Sequence, residues 1–184
     1  QRIDTVGAYG STICRTPHMD RIAREGLRFT NAFTPTGLCS PVRCSLMTGL
    51  YPHGHKVLTN ISLHPVREEL DPADDRLTPA LRAAGYRLGC VGKWHVSKPT
   101  DFGFDDHVSL ADFETWRHEL NEPVPPELHD YTQQVCARDP APVERSRPAF
   151  LADHAIRLID RYHGDAGAPF FVRLDFHGPH FPNV

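Results

Sequence analysis

The sequence predicts an α/β fold with a mostly parallel sheet flanked by helices. Short helical segments alternate with β-prone runs, a pattern that sets strands side by side through helical crossovers. The most regular helical period in the chain leads into an apolar run of strand length. The 184 residues are 40% hydrophobic, 23% charged and 9% aromatic, which is globular composition and excludes a disordered or fibrous chain. In order, Thr16-Pro17 opens a helix over His18–Glu25. Thr16 stands as cap, Pro17 at the first helical position and Gly26 at a left-handed exit, with Ile22 and Leu27 facing a core. Leu27–Phe33 alternates and reads as a strand. Ser40-Pro41 starts a helix running to Thr48-Gly49, and Thr78-Pro79 another ending at Gly85. Tyr86–Val91 reads as a strand, Val108 as the centre of another, and Asp112–Glu119 as a helix. Asn121–Pro148, with six prolines and little periodicity, reads as a loop excursion. Ala149–Tyr162 places Phe150, Leu151, Ala155, Leu158, Ile159 and Tyr162 at helical spacing, and Phe170–Phe176 follows as a buried strand.

Composition narrows the function classes. Twenty basic against 23 acidic residues give a net charge of −3, so no basic excess marks a nucleic-acid surface. No apolar run reaches the roughly 18–20 residues of a bilayer span. Five cysteines (Cys14, Cys39, Cys44, Cys90, Cys136) are too few for a disulfide scaffold. Seventeen Arg against 3 Lys point to a GC-rich bacterial genome, with the compartment open between cytoplasm and periplasm. Residue 1 is Gln and the chain stops just past a strand-like run, so the expectation is one domain, residues 1–184, cut at both ends.

The chemistry concentrates in three segments, each of which follows or closely follows a predicted strand. In open α/β sheets such strand ends are where sites lie. Cys39 sits at the mouth of the helix that starts at Pro41, where free N–H groups and the dipole favour an anion, and Arg43 lies one turn on. A thiolate phosphatase needs a longer spacer between Cys and Arg to wrap a phosphate; only Ser40, Pro41 and Val42 intervene. Taken alone, Cys39 reads as an inert buried thiol, and Lys93 with His95 as an exposed loop pair. His53 and His55 make an i, i+2 pair that fits loop structure better than a metal site, and no CxxC or HxxxH spacing supports zinc. Arg2 and Asp4 read as a solvated or capping pair, and most other arginines as surface charge.

Cys39-Ser40-Pro41-Val42-Arg43, followed by Thr48-Gly49 and Tyr51-Pro52-His53, resembles the signature of the formylglycine-dependent sulfatases, the arylsulfatase type. Val6–Gly10, Thr16–Arg21 and Gly26–Ala32 are similar to that family's N-terminal run. Gly92-Lys93-Trp94-His95 and His177-Gly178-Pro179-His180 are similar to its Lys/His and Pro-His segments. Cys44 departs from the small residue usual there. The resemblance implies an alkaline-phosphatase-like fold and a sulfuric ester hydrolase. It also implies conversion of Cys39 by a formylglycine-generating maturation enzyme, and a sulfate-ester substrate. The formylglycine hydrate would supply the attacking oxygen, Arg43 would hold it, Lys93 would bind a sulfate oxygen and His180 would protonate the leaving alcohol. His95 would then take the remaining hydroxyl proton, so that sulfate leaves by C–O cleavage. His177 competes with His180 for the acid role, or contacts substrate. The resemblance further implies one calcium ion bound by oxygen ligands. Position 39 as formylglycine would be one ligand and Gln1 a weak one, with the rest before residue 1 and beyond Val184, so that the 184 residues alone lack tight calcium binding and useful turnover. A formylglycine-dependent phosphonate or phosphate monoester hydrolase and a non-catalytic relative with intact Cys39 are the competing readings.

Overall fold

The computed structural model describes residues 2–60, 69–122, 139–164 and 167–180. The chain divides into two compact units, residues 1–34 and 35–184.

The first unit holds α1 (Pro17–Glu25) and two single 3₁₀ turns, Ile3–Thr5 and Gly7–Tyr9. Pro17 occupies a first-turn position as expected, but Thr16 makes no cap hydrogen bond to the helix. Its hydroxyl instead accepts from the Gly7 N–H (2.8 Å) and donates to Asp20 (3.0 Å), while Asp20 accepts from the Ala8 N–H at 2.7 Å. These bonds fasten the 3₁₀ turn to the helix. Three expectations fail here. Gly26 has φ −124°, not the left-handed exit expected. Leu27–Phe33 forms no strand, because no strand lies among residues 2–34 to take its N–H and C=O groups. Ile22 and Leu27 are exposed within the unit, 71% and 75%, since so short a stretch encloses no core. Arg2 and Asp4 pair in solvent, as read.

The second unit is built on a three-stranded parallel sheet of order β2-β1-β3, with β1 at Arg87–Gly92, β2 at Asp106–Val108 and β3 at Phe170–Asp175. The central strand is buried on both faces. Leu88 and Cys90 enter one apolar cluster with Met47, Val57, Leu70, Trp94, Val96, Phe102 and Phe104. Val91 enters the other, with Phe113, Phe150, Leu151, Ala155 and Leu158. This is the period-2 alternation of a strand covered on both sides. β3 is less enclosed than expected, with Leu174 37% exposed.

The helices are α2 (Cys39–Thr48), α3 (Pro52–His55), α4 (Leu77–Ala83), α5 (Leu110–Glu119) and α6 (Arg147–Gly164). Gly49 closes α2 in the left-handed region, φ 72°. Asp75, rather than Thr78, caps α4 by accepting from the Leu77 N–H at 2.9 Å. Ser109 and Asp112 form a capping box on α5. α6 begins at Arg147, two residues before the expected start. Within the excursion, residues 139–146 contain one 3₁₀ turn, Val143–Arg145. No helix among the described residues is long and apolar enough to cross a membrane.

Candidate active site

α2 supplies the anion-facing end of the site. Leu38 is extended before it, Cys39 is its first residue, and no acidic side chain lies in its first turn. The Ser40 N–H donates to the Asn60 side-chain oxygen (3.0 Å), so one orphan donor is satisfied from another segment. Cys39 is partly exposed, whereas Cys44, on the core side of the same helix, is fully buried. Arg43, one turn past Cys39, donates to the Lys93 carbonyl oxygen at 2.6 Å and pairs with Asp175 at 3.0 Å.

The turn after β1 depends on Gly92. Its φ is +99°, and a Cβ there would lie 2.1 Å from the Asp175 carbonyl oxygen. Only glycine permits that approach, which lets the Lys93 N–H donate to the same oxygen at 3.0 Å. The chain then delivers the Lys93 Nζ to 3.9 Å from the Cys39 Sγ. Burial, reinforced by Arg43, lowers the Lys93 pKa, while Cys39 opposes the change. His95 sits at φ +54°, a left-handed conformation uncommon for a side chain of its size. Its Nδ1 is buried without a hydrogen-bond partner among the described residues. Burial first, then Lys93, Arg43 and His180, hold the His95 pKa below 6.5, so its ring is neutral near neutral pH.

Beyond β3, the His177 and His180 rings lie 5.0 Å apart, with the His180 N–H donating to the His177 carbonyl at 3.1 Å. Burial and then Lys93, Arg147, His180 and Arg43 push the His177 pKa down to about 4. The ends of β1 and β3 and the start of α2 thus bring Arg43, Lys93, His95, His177 and His180 into one electrostatic neighbourhood, which Lys93 joins to Cys39. Gln1 lies outside the described residues. His55 is 1% exposed, its Nδ1 accepting from the Val57 N–H (3.2 Å) and its Nε2 3.0 Å from the Ser45 hydroxyl, an arrangement that fixes the loop after α2.

Reading most arginines as surface charge fails at this site. Arg173 pairs with Asp175 and stacks 5.2 Å from the Trp94 ring centre; Arg147 donates to His177 Nδ1 at 3.3 Å; Arg117 is fully buried. Arg173 and Asp175 carried a signal, since two charges inside the apolar run Phe170–Phe176 need partners. Arg147 carried none beyond its position at a helix start. No group of three or more His, Cys, Asp or Glu that could hold a metal occurs among the described residues, so they do not by themselves fit a calcium ion.

The sulfatase family model matches residues 1–184. The chain is 28% identical over 176 residues to an N-acetylglucosamine-6-O-sulfatase of Bacteroides thetaiotaomicron, a match covering 95% of this chain and 28% of that protein. It is 37% identical over 111 residues to an N-acetylgalactosamine-6-O-sulfatase of the same organism, covering 58% of this chain and 21% of that protein. Its structure resembles the phosphonate monoester hydrolase of Agrobacterium radiobacter with a TM-score of 0.75 at 26% identity, covering 97% of this chain and 39% of that one. The chain therefore spans less than a third of the length of these two curated relatives. With the family model matched from end to end and a parallel sheet carrying the motif segments at its strand ends, this chain belongs to the sulfatase family.

Proposed function

We propose that the protein hydrolyses sulfate monoesters, with Cys39 converted to Cα-formylglycine by a maturation enzyme. The observation that carries this reading is the Lys93 ammonium 3.9 Å from the Cys39 Sγ, at a helix mouth that also holds Arg43. The hydrated aldehyde, once formed, supplies an oxygen nucleophile and a route for releasing sulfate without a second attack at sulfur. The chain's own residues do the rest. Lys93 binds and orients the anionic ester oxygens. Arg43, tied to Asp175 and the Lys93 carbonyl, keeps a positive charge fixed beside position 39. His180 gives a proton to the leaving oxygen, and His95, held neutral, accepts one. Calcium belongs to the family resemblance; its ligands are not assembled among the described residues.

The test takes the protein as its own host produces it. Mass spectrometry of the peptide containing position 39 should show the sulfur lost, and the same sample should hydrolyse an aryl sulfate. An intact thiol in a preparation that turns over aryl sulfate removes the reading. The likeness to a phosphonate monoester hydrolase favours one second reading, the same site working on a phosphonate monoester. Faster turnover of an aryl phosphonate than of the matching sulfate would establish it instead.

A further inference from the structure

We infer that Arg147 is a positioning residue that holds His177 as the neutral tautomer with its proton on Nε2. His177 then donates a hydrogen bond toward the bound ester and leaves proton transfer to His180; this last clause rests on the function proposed above. A guanidinium has donors and no acceptor, and it does not lose its charge in proteins. Its Nη1 lies 3.3 Å from the His177 Nδ1, so that nitrogen must present a lone pair. An imidazolium has N–H on both nitrogens and could not make the contact. The single proton of the neutral ring is therefore on Nε2, and the Nε2–H is a donor.

Arg147 is itself held in place. It is the first residue of α6, and its guanidinium carbon stands 5.4 Å from the centre of the Phe113 ring, which is 1% exposed. Every segment that influences His177 brings positive or potentially positive charge: Arg43 from α2, Lys93 after β1, Arg147 from α6 and His180 from its own loop. Asp175, at the end of the strand that precedes the ring, is already committed to Arg43 and Arg173. Among the described residues, every charged or titratable group that influences the ring opposes a second proton. Of the two histidines that compete for the acid role, His177 is thereby the donor and His180 the acid.

The experiment uses the full-length, matured protein labelled with ¹⁵N-histidine, with the His177 signals identified by their loss in His177→Gln. The expected spectrum near neutral pH shows Nδ1 unprotonated and Nε2 protonated. A proton on Nδ1, or a charged ring, overturns the inference without any variant at Arg147. Arg147→Met should let both tautomers appear and move the ring's titration up toward the ordinary 6.5. In turnover of an aryl sulfate, Arg147→Met should lower kcat/KM roughly ten- to hundredfold, as losses of orienting partners do. Arg147→Lys, which keeps the charge and stem over Phe113, should recover part of that loss. In a His177→Gln background Arg147→Met should cost less than about twofold, because neighbours that act together are not additive. An equal loss in both backgrounds overturns the inference. Wild-type protein inactive on both aryl sulfate and aryl phosphonate would remove the proposed function, while the ring spectrum still decides the tautomer.

Discussion

Arg43 and Lys93 are both cations beside position 39, and they are built for different tasks. Arg43 is only 14% exposed and is held on two sides, by the Lys93 carbonyl and by Asp175. It is a fixed charge on a rigid mount. Among the described residues the Lys93 Nζ has no such mount, and its partner is the Cys39 sulfur. Lys93 is therefore the cation that can follow an anion through a change of shape. Lys93→Met should lower kcat/KM by about 10²–10³, the cost of one oxyanion-type donor. The same variant tests His95. The His95 pKa is pulled below 6.5 chiefly by burial and next by Lys93. Its neutral, proton-accepting form prevails above that lowered pKa and is lost as pH falls through it. Removing the Lys93 charge should move the acidic limb of the kcat/KM profile upward, though not fully to 6.5 because burial remains. A limb that stays in place in Lys93→Met, measured by steady-state kinetics across pH, would mean that a group other than His95 governs it.

At the scale of elements, the site depends on how β1 ends. The strand places Lys93 and His95 correctly only because Gly92 turns left-handed against the Asp175 carbonyl. Gly92→Ala combines a forbidden backbone region with a contact to main chain that cannot swing aside. It should lower the unfolding temperature and reduce aryl sulfate turnover more than Lys93→Met does, since Lys93, His95 and Asp175 shift together. Calorimetry and kinetics on the same preparation check this; wild-type stability in Gly92→Ala would show that the turn relaxes freely. The elements legible in the sequence were those with local determinants. Pro17 and Gly49 mark helix ends by backbone chemistry alone, and the Phe150–Tyr162 spacing shows its buried face directly except at Ile159, which lies at the edge of the stripe and is 40% exposed. Leu27–Phe33 misled because alternation states only that a run could be a strand. Whether it becomes one depends on a neighbouring strand that no short window reveals. Thr16 misled likewise, since its hydroxyl accepts from the Gly7 N–H rather than from the first-turn N–H groups of the helix it precedes.

Across the whole molecule, the motif residues were legible because each carries its chemistry in its own side chain, while the residues that orient them were not. Arg147 and Asp175 act through partners 30 and 132 positions away, His177 and Arg43, and no spacing rule links such pairs. Arg117 is the largest case. Fully buried, it binds Asp139 through two guanidinium nitrogens (3.0 and 3.2 Å), lies 3.5 Å from Glu122 and donates to the Arg145 carbonyl at 3.0 Å. Glu122 follows α5 and Asp139 precedes α6, so one guanidinium ties both carboxylates to α5. It also lies 5.7 Å from the Phe113 ring on which Arg147 rests. Burial alone would raise the Asp139 pKa, yet the Arg117 hydrogen bond and the Ala141 N–H hold it below the usual carboxylate value. The pair is thus charged in the fold, and removing one member strands the other. Asp139→Ala should destabilise the protein by about 3 kcal/mol, the lower end for a broken buried pair because Glu122 remains. Arg117→Met added to Asp139→Ala should restore part of that loss, since an apolar side chain needs no partner there. Thermal and urea unfolding of the two variants against wild type measure both effects. A double variant less stable than the single one would mean that Arg117 contributes mainly through its packing on Phe113 rather than as the cation joining Glu122 to Asp139.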